Sequence, residues 1–180
     1  MTYYGAKELA YSVRQVRGNT LQIANDIPED KYGFQVTPES RTIGQTLTHI
    51  ALGHGFQSHI HRNRISDLAT VNFPELFQRL FAAEAPSRSK AEVVALLTSE
   101  GDAFASYLEG LTDAFLAEAV AMPPGMQPVS KTRFEMLLSP KEHEMHHRGQ
   151  VMVAQRLIGQ VPHLTRQMEE RMAKMAKAAQ

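Results

Sequence analysis

The chain has 180 residues, enough for one domain of ordinary size, and its nineteen basic and nineteen acidic residues cancel without forming a basic cluster, which argues against a nucleic-acid partner. It contains no cysteine, which excludes disulfides, thiolate metal sites and cysteine nucleophiles, so any metal site must use nitrogen and oxygen ligands. No apolar run is long enough for a membrane span or a secretion signal, and we therefore expect a cytoplasmic protein with no membrane partner.

Apolar residues at helical spacing predict a first helix over residues 6–27, which Pro28 ends. The turn-rich segment 28–40 then connects to a second helix, predicted over 42–63, because "TIGQ" at its start has the pattern of a capping box. One row of this second helix faces the core, and its members are Thr46, His49, Gly53, Phe56 and Ile60.

Prolines interrupt the spacing between residues 64 and 88, which predicts a long crossover with one short helix at "PELFQRLFAAE". A second capping-box pattern, "SKAE", begins a third helix over 89–111. Three prolines and a glycine in "AMPPGMQPVS" exclude regular structure over 121–130. This loop is either a plain connection or a lid over a site.

The fourth helix is predicted over 131–158, with Gly159 as its left-handed C-cap and Pro162 just beyond it. Pro140 interrupts this pattern, because an interior proline removes one backbone hydrogen bond and clashes with the preceding turn. Ser139 could cap a new start, so we expect the helix to kink or restart between about 136 and 140.

No strand-period run appears, and the predicted fold is therefore all-α: a four-helix bundle with a long crossover between its second and third helices. Residues 1–162 should form the bundle and residues 163–180 a helical extension. One face of the extension is either exposed and frayed or docked on the bundle or on a second subunit; we expect a homodimer. This face carries Leu164, Met168, Met172, Met175 and Ala179.

The string "EHEMHHRGQ" places three histidines within five positions of the fourth helix. Side chains four residues apart lie above one another on a helix, so His143 and His147 can aim at one point. His146 falls on a neighbouring polar row. Two imidazoles on a buried face need hydrogen-bond partners or a metal ion, which makes the pair candidate ligands. The row that contains them is Met136, Pro140, His143, His147, Val151, Ala154 and Ile158.

A third ligand must come from another helix, and the second helix offers His49 and His54. His49 is favoured because it lies on the core-facing row, with the small Gly53 one turn later leaving room beside the imidazole. His54 remains the alternative. The histidines within "HIHRNR" at 59–64 are interpreted as part of a solvated helix end.

Two segments resemble the DinB-like four-helix bundles, a family named for DNA-damage-inducible members and related to bundle domains of bacterial thiol transferases. "IPEDKYGFQVTPESRTIGQTLTHIA" resembles the segment entering the second helix, and "EHEMHHRGQVMVAQRLIG" resembles the last core helix. Carried over by position, the resemblance implies a metal triad of His49, His143 and His147. The sequence departs from the family at Pro140 and in the tail after Pro162.

Three histidine ligands leave a metal ion with an open coordination position, as in catalytic sites. The expected cofactor is one divalent metal ion, zinc or nickel. The resemblance implies a metal-dependent enzyme, a thiol-dependent transferase or a hydrolase, with an unidentified small-molecule substrate. A non-catalytic, metal-stabilised binding or dimerisation module with a role in stress is the alternative.

Several polar residues near the triad have open roles in the sequence. Gln45, Glu142, Glu144 and Gln150 either orient the imidazoles through their second nitrogen or lie on solvated helix surfaces. Arg148 either contacts an anionic substrate or pairs with Glu144 one turn earlier.

Overall fold

The computed structural model describes residues 4–178, most of which are helical. The helices are α1 (Ala6–Asp26), α2 (Ile43–Leu52), α3 (Gly55–Arg62), α4 (Phe73–Glu84), α5 (Lys90–Glu109), α6 (Asp113–Ala117), α7 (Arg133–Leu157) and α8 (His163–Ala178). Single 3₁₀ turns lie at Glu29–Lys31 and Leu68–Thr70, and two short strands are β1 (Ala119–Ala121) and β2 (Ser130–Thr132). No helix within 4–178 is long and apolar enough to cross a membrane.

Four of these helices form the bundle. Helices α1 and α2 each pack against both α5 and α7, so α1 lies diagonally opposite α2. The connection from α2 to α5 carries α3 and α4 along the outside of the bundle, which is the predicted long crossover. The predicted all-α four-helix bundle is confirmed.

The helix ends follow the sequence signals. The side chain of Thr42 accepts a hydrogen bond from the backbone of Gln45, and Ser89 caps α5 in the same way. Helix α1 ends just before Ile27 and Pro28, and Gly159 adopts the left-handed conformation after α7, with φ of 84°. Local capping chemistry therefore sets most of the element boundaries.

The predicted second helix is wrong in one respect, because it is two helices separated at Gly53 and His54. A Cβ added at Gly53 would lie 2.7 Å from Nδ1 of His143, and one at Gly55 would lie 2.7 Å from a methyl carbon of Leu80. The glycines thus let α7 and α4 approach this corner closely. Helical periodicity continues across the break, so it does not reveal the break.

The loop around 121–130 also differs from its prediction at both ends. Strands β1 and β2 pair antiparallel, with Val120 opposite Lys131, and β1 continues into a backbone hydrogen bond from Ala121 to Ser66. Buried Val120 contributes to a small core cluster with Ile60, Leu68 and Met136. Three-residue strands are too short to give a period-two pattern, which is why the sequence did not indicate them.

Pro140 does not restart the helix. Helix α7 runs from Arg133 to Leu157 as one element, capped by Thr132, with Pro140 buried inside it. The missing backbone donor therefore costs one hydrogen bond without ending the helix. Of the two expected outcomes, a restart with a new N-terminus at Ser139 is wrong, and the kink stays a prediction. His143 lies on a helix that begins ten residues earlier.

Helix α8 is attached to the bundle at its N-terminal end. Nε2 of His163 lies 3.2 Å from Oδ1 of Asn19, and Arg166 pairs with Asp26 on α1 at 2.8 Å. Beyond this point the helix is exposed: Met168, Met172 and Met175 are 61%, 61% and 69% exposed. The methionine face therefore does not dock on this bundle. Ala179, assigned to the same face, lies outside the described residues.

Candidate metal centre

The structure brings together the three histidines that the sequence selected. His49 from α2 meets His143 and His147 from α7, and one ring nitrogen from each lies within 4.8 Å of the others. The Nε2 atoms of His49 and His143 are 3.0 Å apart. Within residues 4–178, no other set of three histidine, aspartate or glutamate side chains offers metal ligands so closely grouped.

His143 fits under the break between α2 and α3. Its ring occupies the space that a side chain at Gly53 would fill. The sequence predicted that Gly53 leaves room beside the imidazole of His49. In the structure, the imidazole that fills this room is that of His143. Nδ1 of His143 is buried and has no hydrogen-bond partner among the residues that the structure describes, so Nε2, which faces His49, is the nitrogen engaged at the site.

His49 is oriented by a carboxylate from the crossover. Its Nδ1 lies 2.9 Å from both carboxylate oxygens of Glu84, the last residue of α4. A proton on Nδ1 is donated to the carboxylate, which leaves the lone pair on Nε2 directed toward His143. Carboxylates commonly hold metal-ligating histidines in this manner.

His147 is oriented by its own helix. Its Nδ1 lies 2.8 Å from Oε1 of Gln150, and the amide nitrogen of Gln150 lies 3.1 Å from Nε2 of His146. Since the amide oxygen accepts, Nδ1 of His147 carries the proton and Nε2 is free to bind a ligand. His146 thus supports the orientation from an exposed position, off the row of the triad, as predicted.

The surroundings favour neutral imidazoles on α7. Burial, together with the neighbouring histidines, lowers the pKa of His143 to about 4. Burial also lowers the pKa of His147, against the opposing effect of its hydrogen bond to Gln150. Burial alone would raise the pKa of the Glu84 carboxyl, but the hydrogen bond from His49 and the nearby charge of Arg41 keep it below its usual value. Neutral imidazole is the form that binds metals.

A buried ion pair lies next to the triad and joins all four bundle helices. Arg17 on α1 contacts both carboxylate oxygens of Glu144 on α7, and Thr20 donates a hydrogen bond to the same carboxylate at 2.6 Å. The guanidinium also donates to the carbonyl oxygens of Leu97 on α5 and Ile50 on α2. Because Ile50 follows His49 and Glu144 follows His143, this network fixes the backbone beside two members of the triad.

A cavity of about 680 Å³ opens beside His147, between α7 and the segment that leads into α2. Its size is typical of small-molecule sites. Polar groups at its edge are Glu39, Arg41, Thr46, Gln150 and His147 itself. Its apolar lining is Phe34, Val36, Ile43, Val151, Val153 and Ala154.

The sequence profile of the DinB superfamily matches residues 12–151, more than three quarters of the chain and all three histidines. The chain belongs to the DinB superfamily. The resemblance drawn from the segments around His49 and His143 is therefore confirmed. No curated protein sequence matches the chain.

Solved structures from the DinB family share the fold. The DinB-like protein YjoA from Bacillus subtilis is 18% identical, with a TM-score of 0.63 over 86% of this chain and 94% of that chain. A DinB-like protein from Bacillus cereus is 16% identical, with a TM-score of 0.67 over 89% and 97%. YfiT from Bacillus subtilis, described as "a probable metal-dependent hydrolase with an unusual four-helix bundle topology", is 14% identical, with a TM-score of 0.65 over 89% and 91%.

The sequence missed Glu84 within this DinB fold. Glu84 ends a short helix in the crossover, and the sequence does not fix where that helix lies. One signal was available in the sequence. A carboxylate at a helix C-terminus interacts unfavourably with the negative end of the helix dipole, which suggests that the carboxylate has another partner nearby. Of the four proposed orienting residues, only Gln150 contacts the triad, while Gln45 caps α2 and Glu142 is exposed.

The structure rejects one of the two alternatives for Arg148 and the interpretation of His61. Glu144 pairs with Arg17, and Arg148 donates instead to the carbonyl of Val16, whereas a contact of Arg148 with an anionic substrate stays a prediction. His61 is 1% exposed, not solvated: Arg133 donates to its Nδ1, and its Nε2 bonds to Gln57.

The loop 121–130 contributes nothing to the cavity beside His147, so it is not the lid over that cavity.

His54, the alternative third ligand, lies away from the triad. Its ring stacks on Phe104 with 4.7 Å between centroids, and its Nδ1 bonds to Ser58. Its Nε2 lies 3.2 Å from Glu100 Oε2, outside hydrogen-bonding geometry. Burial lowers the pKa of His54 to about 4. His54 is therefore a packed core residue rather than a member of the cluster.

Proposed function

We propose that the protein binds one divalent metal ion through His49, His143 and His147 and uses it as a metal-dependent enzyme. The observation that carries the proposal is the convergence of three imidazoles from two helices, with Glu84 and Gln150 occupying the second nitrogen of two of them. A set of core histidines without a ligand role would not need its lone pairs directed to one point.

The donor set fits zinc or nickel. Two nitrogens bound tetrahedrally to zinc lie ~3.3 Å apart, close to the 3.0 Å between the Nε2 atoms of His49 and His143. Three neutral nitrogen ligands leave a fourth position for substrate, whereas a structural zinc site is closed by four protein ligands. Imidazole ligation also suits iron(II) and copper(II), and zinc and nickel are the two ions that we propose first.

The reaction class that we propose is hydrolysis or thiol-dependent group transfer. A metal ion held by the triad would supply Lewis acidity at its open position, which polarises a carbonyl or lowers the pKa of a bound water or thiol. The carboxylate in contact with the triad, Glu84, is engaged by His49 and is not free to act as a general base. The description of YfiT supports hydrolysis, and the absence of cysteine means that any thiol would arrive with the substrate.

Metal analysis of the purified protein tests this proposal. We expect about one equivalent of zinc or nickel after metal-replete expression, together with metal-dependent turnover in a panel of ester, amide and thiol-transfer substrates. Less than about a tenth of an equivalent would refute the metal site. One equivalent without turnover on any substrate class would leave the site structural and reject the enzyme.

The second candidate is a metal-stabilised dimerisation module, and the exposed methionine face of α8 favours it. A homodimer joined through this face would bury Met168, Met172 and Met175. We expect light scattering to give twice the monomer mass of 20.1 kDa, and Met172→Lys to shift the protein to the monomer. A monomer in the wild-type protein would exclude the dimer.

The contact between Glu84 and His49 gives a further prediction. Glu84→Gln should weaken metal binding by about 10–100-fold, because the amide cannot supply the negative charge that raises the basicity of His49 as a ligand. Competition against a chromophoric chelator measures the affinity. Glu142→Gln removes an exposed carboxylate next to His143 in sequence and should change the affinity by less than about threefold. Equal losses in both variants would show that only the overall charge matters.

A further inference from the structure

The cavity beside His147 has a lining that selects one kind of molecule. Most of its wall is apolar, formed by residues such as Phe34, Val36 and Val151. A cavity of this kind binds the apolar body of a small molecule, while a few polar groups fix its orientation. His147 is the member of the triad that belongs to the lining, so a molecule in the cavity would lie beside the triad at this histidine.

Arg41 is the cation of this cavity. Its side chain is exposed, and within residues 4–178 it makes no hydrogen bond or ion pair. Arg41 and His147 line the same cavity, which places the guanidinium on the same wall as one member of the triad. By contrast, Arg14, Arg17 and Arg166 all pair with carboxylates.

We propose that the cavity binds a small molecule with an apolar body and a carboxylate, and that Arg41 is the partner of that carboxylate. A planar guanidinium bonds both oxygens of a carboxylate at once, which orients the ligand as well as attracting it. The proposal rests on the proposed function for the reaction at the triad, but the binding site itself consists of Arg41 and the apolar wall.

Glu39 is the opposing charge on the same wall. It is exposed and two residues from Arg41 in sequence, yet the two side chains do not form an ion pair. A carboxylate ligand should therefore be repelled weakly by Glu39 and attracted by Arg41. This opposition provides an internal control, because removing each charge should change the affinity in opposite directions.

The test compares 4-phenylbutyrate with its uncharged amide, 4-phenylbutanamide, by NMR titration of the full-length protein as purified and after chelation. We expect the acid to bind about 5–10-fold more tightly than the amide, and Arg41→Gln to abolish that difference without weakening the amide. Glu39→Gln should bind the acid equally or more tightly. Arg171→Gln, which removes the same charge from exposed α8, should match the wild type.

Three outcomes would overturn the proposal: equal binding of acid and amide to the wild type, binding of the acid that Arg41→Gln leaves unchanged, or no saturable binding below about 10 mM. Acid binding that chelation removes and Arg41→Gln does not affect would mean coordination by the metal alone. Arg41-dependent binding that survives chelation would support the cavity even if the metal proposal fails, so the two failures are distinguishable.

Discussion

Glu144→Ala should lower the free energy of unfolding of the metal-free protein by about 3–5 kcal/mol, because it leaves the Arg17 guanidinium buried without its counter-charge. The side chains of Arg17 and Glu144 are only 8% and 5% exposed, and Thr20 would lose the shorter of its two hydrogen bonds, keeping the one to the carbonyl of Val16. Such a loss is a large part of the stability of an ordinary domain. Urea denaturation in the presence of a chelator measures it without interference from metal binding.

The chain offers a matched control in a second arginine–glutamate pair. Arg14 and Glu109 lie 2.6 Å apart, closer than the buried pair, but their side chains are 40% and 49% exposed. Glu109→Ala should cost less than about 1 kcal/mol, because water screens the charge that is left behind. Similar losses in the two alanine variants would contradict the role assigned to burial.

A double variant separates the ion pair from the charge that it neutralises. Arg17→Met combined with Glu144→Leu removes both charges and keeps most of the buried volume, so it should regain part of the stability lost in Glu144→Ala. Recovery should be incomplete, because the carbonyls of Leu97 and Ile50 would lose the hydrogen bonds that the guanidinium donates to them. A double variant less stable than Glu144→Ala would mean that these carbonyl contacts outweigh the charge effect.

His147→Ala should weaken metal binding by more than 100-fold, beyond the ~10–100-fold typical of losing an outer contact, because it removes a ligand. The wild type should gain ~2.7 kcal/mol of stability at a metal concentration of 100 Kd, whereas the variant should gain little at the same concentration. Thermal unfolding with and without added zinc measures this difference.

His146→Ala is the matched control, since His146 is adjacent, exposed and outside the cluster. It removes the contact to the amide nitrogen of Gln150 and an edge contact to the ring of His147, but no ligand, and it should change the affinity by less than about tenfold. An equal effect of both alanine variants would contradict the assignment of ligands. If zinc stabilises the wild type but supports no turnover on thiol or ester substrates, the result favours the non-catalytic, metal-stabilised module over the enzyme.

The predicted site shows how far local patterns reach. His143 and His147 could be paired from their four-residue spacing, because a helix fixes the relative direction of side chains one turn apart. His49 followed from its row on the second helix and from the family resemblance. Pairing those helices required the bundle to close in one particular way, and residues ninety-four apart meet only there.

The errors lie where tertiary contacts override local signals. Pro140 signals a helix start, yet α7 continues through it. Similarly, the "HIHRNR" segment has the composition of a solvated helix end. In the structure, His61 is buried and accepts a hydrogen bond from Arg133 of α7.

The sequence alone determined most of the helices, most of their caps and the two histidines on one face of α7, because these depend on interactions within a few residues. Only the tertiary structure decided that Glu84 orients His49, that Arg17 pairs with Glu144, and that Arg41 lines a largely apolar cavity without an ion-pair partner among residues 4–178. Each of these depends on segments distant in the chain. Their meeting is set by the packing of the whole bundle, which no local pattern encodes.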